Sequence, residues 1–296
     1  MSSSRLAGGD LLSGIVVEVK DLRATRAFYE IVFQHTPGTW REERGSIRFS
    51  AGGQAVEFVR RARPRTSGST ALHHAYRVSA GQLPATVDAL RAIGHTGDWW
   101  HEDHVSERDL MPYFSDPSGN WVQLVASDAV DGLVDHVGME FADLEYAEDF
   151  YVMGLGAVVD SYHGLGDEPG LSAQPWTEGD DPCAPWTRYR RFSFRSRTVE
   201  GRITPQLYIG LGGVRLGLFL ARGHNQEPPE DVVKGTPSVR LRTGRSVAAV
   251  AEHLGGAARA AISARYSGRT IAFEVEGNTI YLRDPGGNYV QLECAP

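Results

Sequence analysis

The chain repeats itself, and the repeat restricts its fold more than any single residue does. Residues 116 to 124 read Asp-Pro-Ser-Gly-Asn-Trp-Val-Gln-Leu, and residues 284 to 292 read Asp-Pro-Gly-Gly-Asn-Tyr-Val-Gln-Leu, 168 positions later. Asp-Pro followed by Gly-Asn is turn chemistry, because proline presets φ while glycine and asparagine tolerate positive φ. The residues after it alternate apolar and polar, the period of a strand with one buried face. A second repeat lies upstream: Gly14 to Leu22 aligns without a gap on His136 to Leu144, and Phe28-Tyr29 falls on Phe150-Tyr151, at a constant offset of 122. Self-similarity of this kind points to a fold built from copies of one unit.

Hydrophobic periodicity reads that unit as βαβββ. In the first copy Leu11 to Val19 is a strand, Asp21 a cap, and Leu22 to Phe33 a helix with Leu22, Ala27, Phe28, Ile31 and Val32 on its apolar stripe. Strands are expected over 39–43, 46–50 and 54–60, broken at Arg44-Gly45 and Gly52-Gly53. The second copy takes a strand at 72–78, a helix carrying Leu83, Val87, Leu90 and Ile93, and strands near 97–101, 110–114 and 121–125. The third opens at Leu133 and closes over 207–220, with a Gly-, Pro- and Asp-rich insertion at 164–186 that reads as a surface loop or lid. The fourth runs from Pro237 through a helix at 246–254 to the second copy of the phrase. The expected fold class is α+β, with modules at 11–60, 71–126, 133–222 and 236–293 grouped into domains 11–127 and 132–296.

Composition narrows the function. A net charge of -7 and a pI near 5.8 argue against a nucleic-acid partner, and no Lys/Arg block suggests an anionic membrane surface. Lys20 and Lys234 are the only lysines and neither sits in an apolar stretch, so Schiff-base chemistry has few candidates. Cys183 and Cys294 form no CxxC pair and no disulfide framework. The N-terminus has no apolar signal core, and no run approaches the ~20 apolar residues of a membrane span. A cytoplasmic monomer or homodimer with a small-molecule ligand is expected.

Paired βαβββ units, the opening strand and helix with Phe-Tyr, and the closing Asp-Pro-x-Gly-Asn strand together resemble the vicinal oxygen chelate superfamily. That group includes glyoxalase I, extradiol catechol dioxygenases, fosfomycin-resistance proteins and bleomycin-binding proteins. The resemblance covers all four modules and implies paired half-barrels, each around a cavity. It also implies metal ligands at the first residue of each opening strand and a carboxylate on the closing strands, the ion acting as a Lewis acid or holding dioxygen. At the opening places this chain has Gly14, His73, His136 and Thr236; at the closing places it has Glu57, Gln123, Gly217 and Gln291. If neighbouring modules pair, Gly14, Glu57, His73 and Gln123 share one cavity. If modules pair crosswise, His73, His136 and Gln123 do. Glutamine in the carboxylate place removes one unit of charge compensation from a low-dielectric pocket. No metal or other cofactor is therefore expected, the alternative being Fe, Mn, Ni or Zn on His73, His136 and Gln123.

The candidate catalytic residues are His73, His136, Glu57 and His101. The candidate ligand-binding residues are Gln123, Gln291, Trp99, Trp100, Tyr76 and Tyr113. Of the adjacent His73 and His74, only one can face a cavity from a strand, and the family pattern selects His73. The run Trp99 to His104 is the densest aromatic and titratable cluster. It reads as an exposed hairpin tip, or as a stacking Trp with His101 or His104 in acid/base work. A Gln facing a cavity can both donate to and accept from a polar ligand. The leading expectation is a metal-independent enzyme of natural product biosynthesis. It would act as a lyase, cyclase or isomerase by dehydration, cyclisation or isomerisation of an oxygenated aromatic or polyketide-like metabolite. The alternatives are a sequestering resistance protein and a metal-dependent dioxygenase or glyoxalase-type lyase.

Overall fold

A computed structural model describes residues 11–66, 72–95, 98–100, 111–127, 132–141, 143–163, 206–211, 214–220, 238–266 and 268–296. The first module comprises β1 (Leu11–Val19), α1 (Leu22–Val32), β2 (Thr39–Glu43), β3 (Ser46–Ala51) and β4 (Gln54–Arg60); the second β5 (His73–Val78), α2 (Leu83–Ala92), β6 (Asp98–Trp100), β7 (Met111–Ser115) and β8 (Trp121–Ala126). The third comprises β9 (Val134–Phe141), α3 (Leu144–Asp149), β10 (Val158–His163), β11 (Gln206–Leu211) and β12 (Val214–Leu220). The fourth comprises β13 (Val239–Ser246), α4 (Val247–His253), α5 (Arg259–Arg265), β14 (Phe273–Glu276), β15 (Thr279–Arg283) and β16 (Tyr289–Ala295).

The hydrogen-bonded sheets pair the modules crosswise. One has the order β14-β15-β16-β13-β1-β4-β3-β2 and the other β10-β11-β12-β9-β5-β8-β7-β6. In the first two modules the opening strand lies parallel to the closing one, β1 with β4 and β5 with β8. By compactness the chain divides differently, into Leu12–Gly138 with Thr236–Arg240, and Met139–Gly235 with Leu241–Pro296.

A repeated lock holds each compact unit. In the first, Asp116 Oδ1 accepts from the backbone N–H groups of Ser118 (2.8 Å) and Asn120 (2.9 Å), and Oδ2 accepts from Tyr29 of α1 (3.3 Å). In the second, Asp284 accepts from Gly286 and Asn288 in the same way, and from Tyr151 (2.7 Å). The Phe-Tyr repeat and the Asp-Pro repeat are thus two ends of one hydrogen bond. Burial raises the pKa of both carboxyls, that of Asp284 to about 6, despite the donors facing them.

Two local expectations are corrected. The buried stripe of α1 is Thr25, Phe28, Tyr29 and Val32, and Ala27 is exposed, because the tyrosine must turn inward to reach Asp116. The fourth-module helix does not stop at Leu254. Gly255-Gly256 sits in a π-helical turn over Leu254–Ala258, and the chain continues as α5. Leu254, Ala258 and Ile262 are buried at a spacing of four, so the apolar stripe outweighs the glycine penalty.

Candidate functional site

Strand register brings three of the expected residues onto one sheet face. One row across β9, β5, β8 and β7 reads His136, Ala75, Gln123, Tyr113; the next reads Gly138, His73, Trp121, Ser115. Directly registered residues share a face, so both imidazoles, the Gln123 amide and two aromatic side chains stand on the same side. Small residues separate the large ones. Ala75 lies between His136 and Gln123, and Gly138 lies beside His73. His73, Gln123 and His136 are buried.

The imidazoles meet edge to edge, with Nε2 of His73 3.0 Å from Nε2 of His136 and the rings at 88°. Gly138 makes this possible, since a Cβ there would sit 2.4 Å from His73 Cε1 and 2.5 Å from its Nδ1. Behind His136 stands Asp135, whose Oδ2 is 2.7 Å from Nδ1, and Asp135 Oδ1 accepts from Arg77 Nε at 3.2 Å. Adjacent strand residues ordinarily point to opposite faces. The β5/β9 register shifts between Ala75 and Tyr76, and this bulge lets Asp135 turn back toward its neighbour's ring. The result is a chain of contacts Arg77, Asp135, His136, His73, with Tyr113 edge-on to His73 at 5.5 Å.

The other expected residues are not gathered there. Tyr76 faces the opposite side of β5 and packs against Tyr29 and Phe33 in the core, so it is an interior aromatic and not a cavity-lining one. Glu57, expected as a proton carrier, lies on the other sheet in an ion pair of 2.7 Å with Arg240, which makes it a counter-ion. Gln291 also lies on that sheet, half-buried opposite Tyr281. His101, Thr236 and the insertion 164–186 lie outside the described residues, and of Trp99 and Trp100 only the backbone of β6 is described. His74 points away from His73; burial lowers its pKa to about 4, and its Nδ1 has no hydrogen-bond partner among the described residues.

Asp135, Arg77, Gly138 and Trp121 were not anticipated as site residues. The internal repeat carried a signal for one of them: it aligns Gly138 on Val16, and glycine replacing a β-branched residue inside a strand marks close approach by another group. Nothing in the sequence announces the bulge that turns Asp135.

The donor set does not fit a tightly held divalent ion. Among the described residues no cluster of three or more His, Cys, Asp and Glu is arranged to hold one. The converging groups are two imidazoles and a neutral amide, and Asp135 is engaged behind His136. An Nε2 separation of 3.0 Å suits a hydrogen bond. It would equally suit cis ligands at about 2.1 Å from an octahedral ion, so the lack of a converging carboxylate among the described residues is what weighs against one.

Comparison with known proteins supports the fold. A single-site mutant of glyoxalase I from Zea mays superposes with a TM-score of 0.63 at 17% identity, covering 96% of this chain and 92% of that one. Unmutated Zea mays glyoxalase I gives 0.60 at 16%, covering 96% and 92%. A candidate dioxygenase from Bacillus subtilis gives 0.53 at 12%, covering 98% and 87%. No protein-family model matches the chain, and no curated protein matches it by sequence.

Proposed function

We propose that this chain, which carries the vicinal oxygen chelate fold, is an enzyme that moves protons on an oxygenated small molecule without a metal ion. The carrying observation is the buried imidazole pair, Nε2 to Nε2 at 3.0 Å, backed by Asp135. Two coupled imidazoles can take a proton from carbon and deliver one elsewhere, imidazole being tuned for neutral pH. Delivery to a leaving hydroxyl is dehydration; delivery to another atom of the same substrate is isomerisation. Gln123, two strands from His136 on the same face, suits a carbonyl or hydroxyl oxygen, and Tyr113 and Trp121 suit a flat ring beside it. An aromatic or polyketide-like metabolite fits these groups.

The test is a ligand screen by thermal shift over oxygenated aromatic metabolites, followed by mass spectrometry of hits incubated with enzyme. His73→Ala and His136→Ala should each lower turnover by about 10²-fold or more while binding persists. If the wild type binds a ligand tightly, never converts it, and both variants alter only affinity, the chain is a sequestering protein.

A further inference from the structure

Arg41, Arg48 and Glu57 stand in one row across the other sheet, and Arg240 closes the row through an ion pair. Register places Glu57 of β4 opposite Arg48 of β3, and Arg48 opposite Arg41 of β2, and directly registered residues share a face. The carboxylate of Glu57 is taken by Arg240 at 2.7 Å. Arg48 turns along its own strand instead and donates through Nε to the neutral Ser50 Oγ at 3.3 Å. The acidic residues of β2 do not compensate the arginines. Glu42 points to the opposite face and is bound by Arg26 at 2.7 Å. Glu43 is registered on Ser46, one row away, and among the described residues it makes no ion pair with Arg41 or Arg48.

Two exposed guanidinium groups are therefore directly opposed, their Cβ atoms about 5 Å apart, and like charges placed so are destabilising. Cations are not in general excess, since the chain carries a net charge of -7. Nor does the module require them: the matching row of the second module reads Ala75, Gln123, Tyr113, Asp98, without a cation. Local departures from stability of this kind concentrate at functional sites.

We propose that Arg41 and Arg48 form a binding site for a small dianion, a phosphate monoester or a dicarboxylate, held between their two guanidinium groups. The charge of such a ligand equals the uncompensated charge of the pair, and the guanidinium fork matches phosphate and carboxylate oxygens. Thr39 and Ser50, registered on one another in the next row of the same face, add two hydroxyls. The site shares no residue with the imidazole pair, so it stands or falls apart from the acid/base reading.

The test is titration of the full-length ¹⁵N-labelled protein with inorganic phosphate and, separately, with succinate, each against sodium chloride at matched ionic strength. Spectra of the arginine Nε–H groups report the binding. Saturable shifts of the Arg41 and Arg48 signals are expected with one dianion or both, and the stronger of the two identifies the preferred oxyanion. Arg41→Gln and Arg48→Gln should each weaken that binding by about tenfold or more, whereas Arg259→Gln, which removes an exposed cation from α5, should leave it unchanged. Without ligand, both site variants should have higher urea midpoints than wild type, because each removes the opposed pair. The absence of saturable shifts with either dianion up to about 10 mM overturns the proposal. So does an equal loss of binding in Arg259→Gln, or a lower urea midpoint in both site variants, which would mean that the arginines are already satisfied in the free protein.

Discussion

Gly138 matters through what it lacks. Its missing Cβ leaves room for the His73 ring, and the overlap an alanine would create, 2.4 Å to Cε1, falls on a movable side chain and not on backbone. Gly138→Ala should therefore swing His73 away from His136 at modest cost to the fold, about 1–2 kcal/mol by denaturant melts. Turnover should fall toward the level of His73→Ala. Equal turnover in Gly138→Ala and wild type would mean that the imidazole contact is not needed. At Gln123 the opposite change is informative. Gln123→Glu supplies the negative charge the donor set lacks, and this variant should bind Mn, Ni, Zn or Fe at least tenfold more tightly than wild type by calorimetry. Unchanged affinity would show that charge is not what keeps an ion out. His73, His136 and Gln123 were legible because each occupies a fixed place in a repeated module. Asp135 was not, since period-2 alternation sends it to the other face and only the bulge reverses that.

At the scale of elements, the repeated turn couples folding to pH. A buried Asp284 titrating near 6 binds protons more tightly folded than unfolded. Its contribution to stability is therefore complete below about 4 and is lost as the pH rises through about 6. His74 runs the other way. With its folded pKa lowered to about 4, only the unfolded chain takes up its proton between about 6.5 and 4, so stability falls as the pH falls across that window. Each effect is at most about 3 kcal/mol, and they oppose one another over nearly the same range. His74→Leu should expose the Asp284 slope, a protein that loses stability as the pH rises from 4 to 6.5. Denaturant midpoints measured across that range give the sign directly, and a slope of the opposite sign in His74→Leu would refute the assignment. The turn itself was readable from Asp-Pro-x-Gly-Asn. Its partner tyrosine was visible only as half of a Phe-Tyr pair, because the hydrogen bond joining them spans 87 residues in one unit and 133 in the other.

For the whole molecule, local pattern specifies the module and leaves its partner open. The alternation within β1 and β5 fixes which face each buries, and it does not by itself select β13 and β9 as their neighbours. The sheets nevertheless have β1 between β13 and β4, and β5 between β9 and β8. The compact unit containing β1 and β5 accordingly includes residues far along the chain, the stretch 132–138 and Thr236–Arg240. Val16 N–H donates to Ser238 O at 3.2 Å, and His73 is registered on Gly138. A chain cut at 131 would leave β1 and β5 as bare edges, one of them nearly all buried residues in the intact protein. Long apolar edges pair indiscriminately. Residues 1–131 expressed alone should therefore aggregate or unfold without a cooperative transition, and co-expression with 132–296 should rescue a soluble complex that melts as one. A monomeric 1–131 fragment with a cooperative melt close to that of the full chain would show that the first two modules suffice as a folding unit, and that the division at 127–132 is a boundary of stability as well as of sequence.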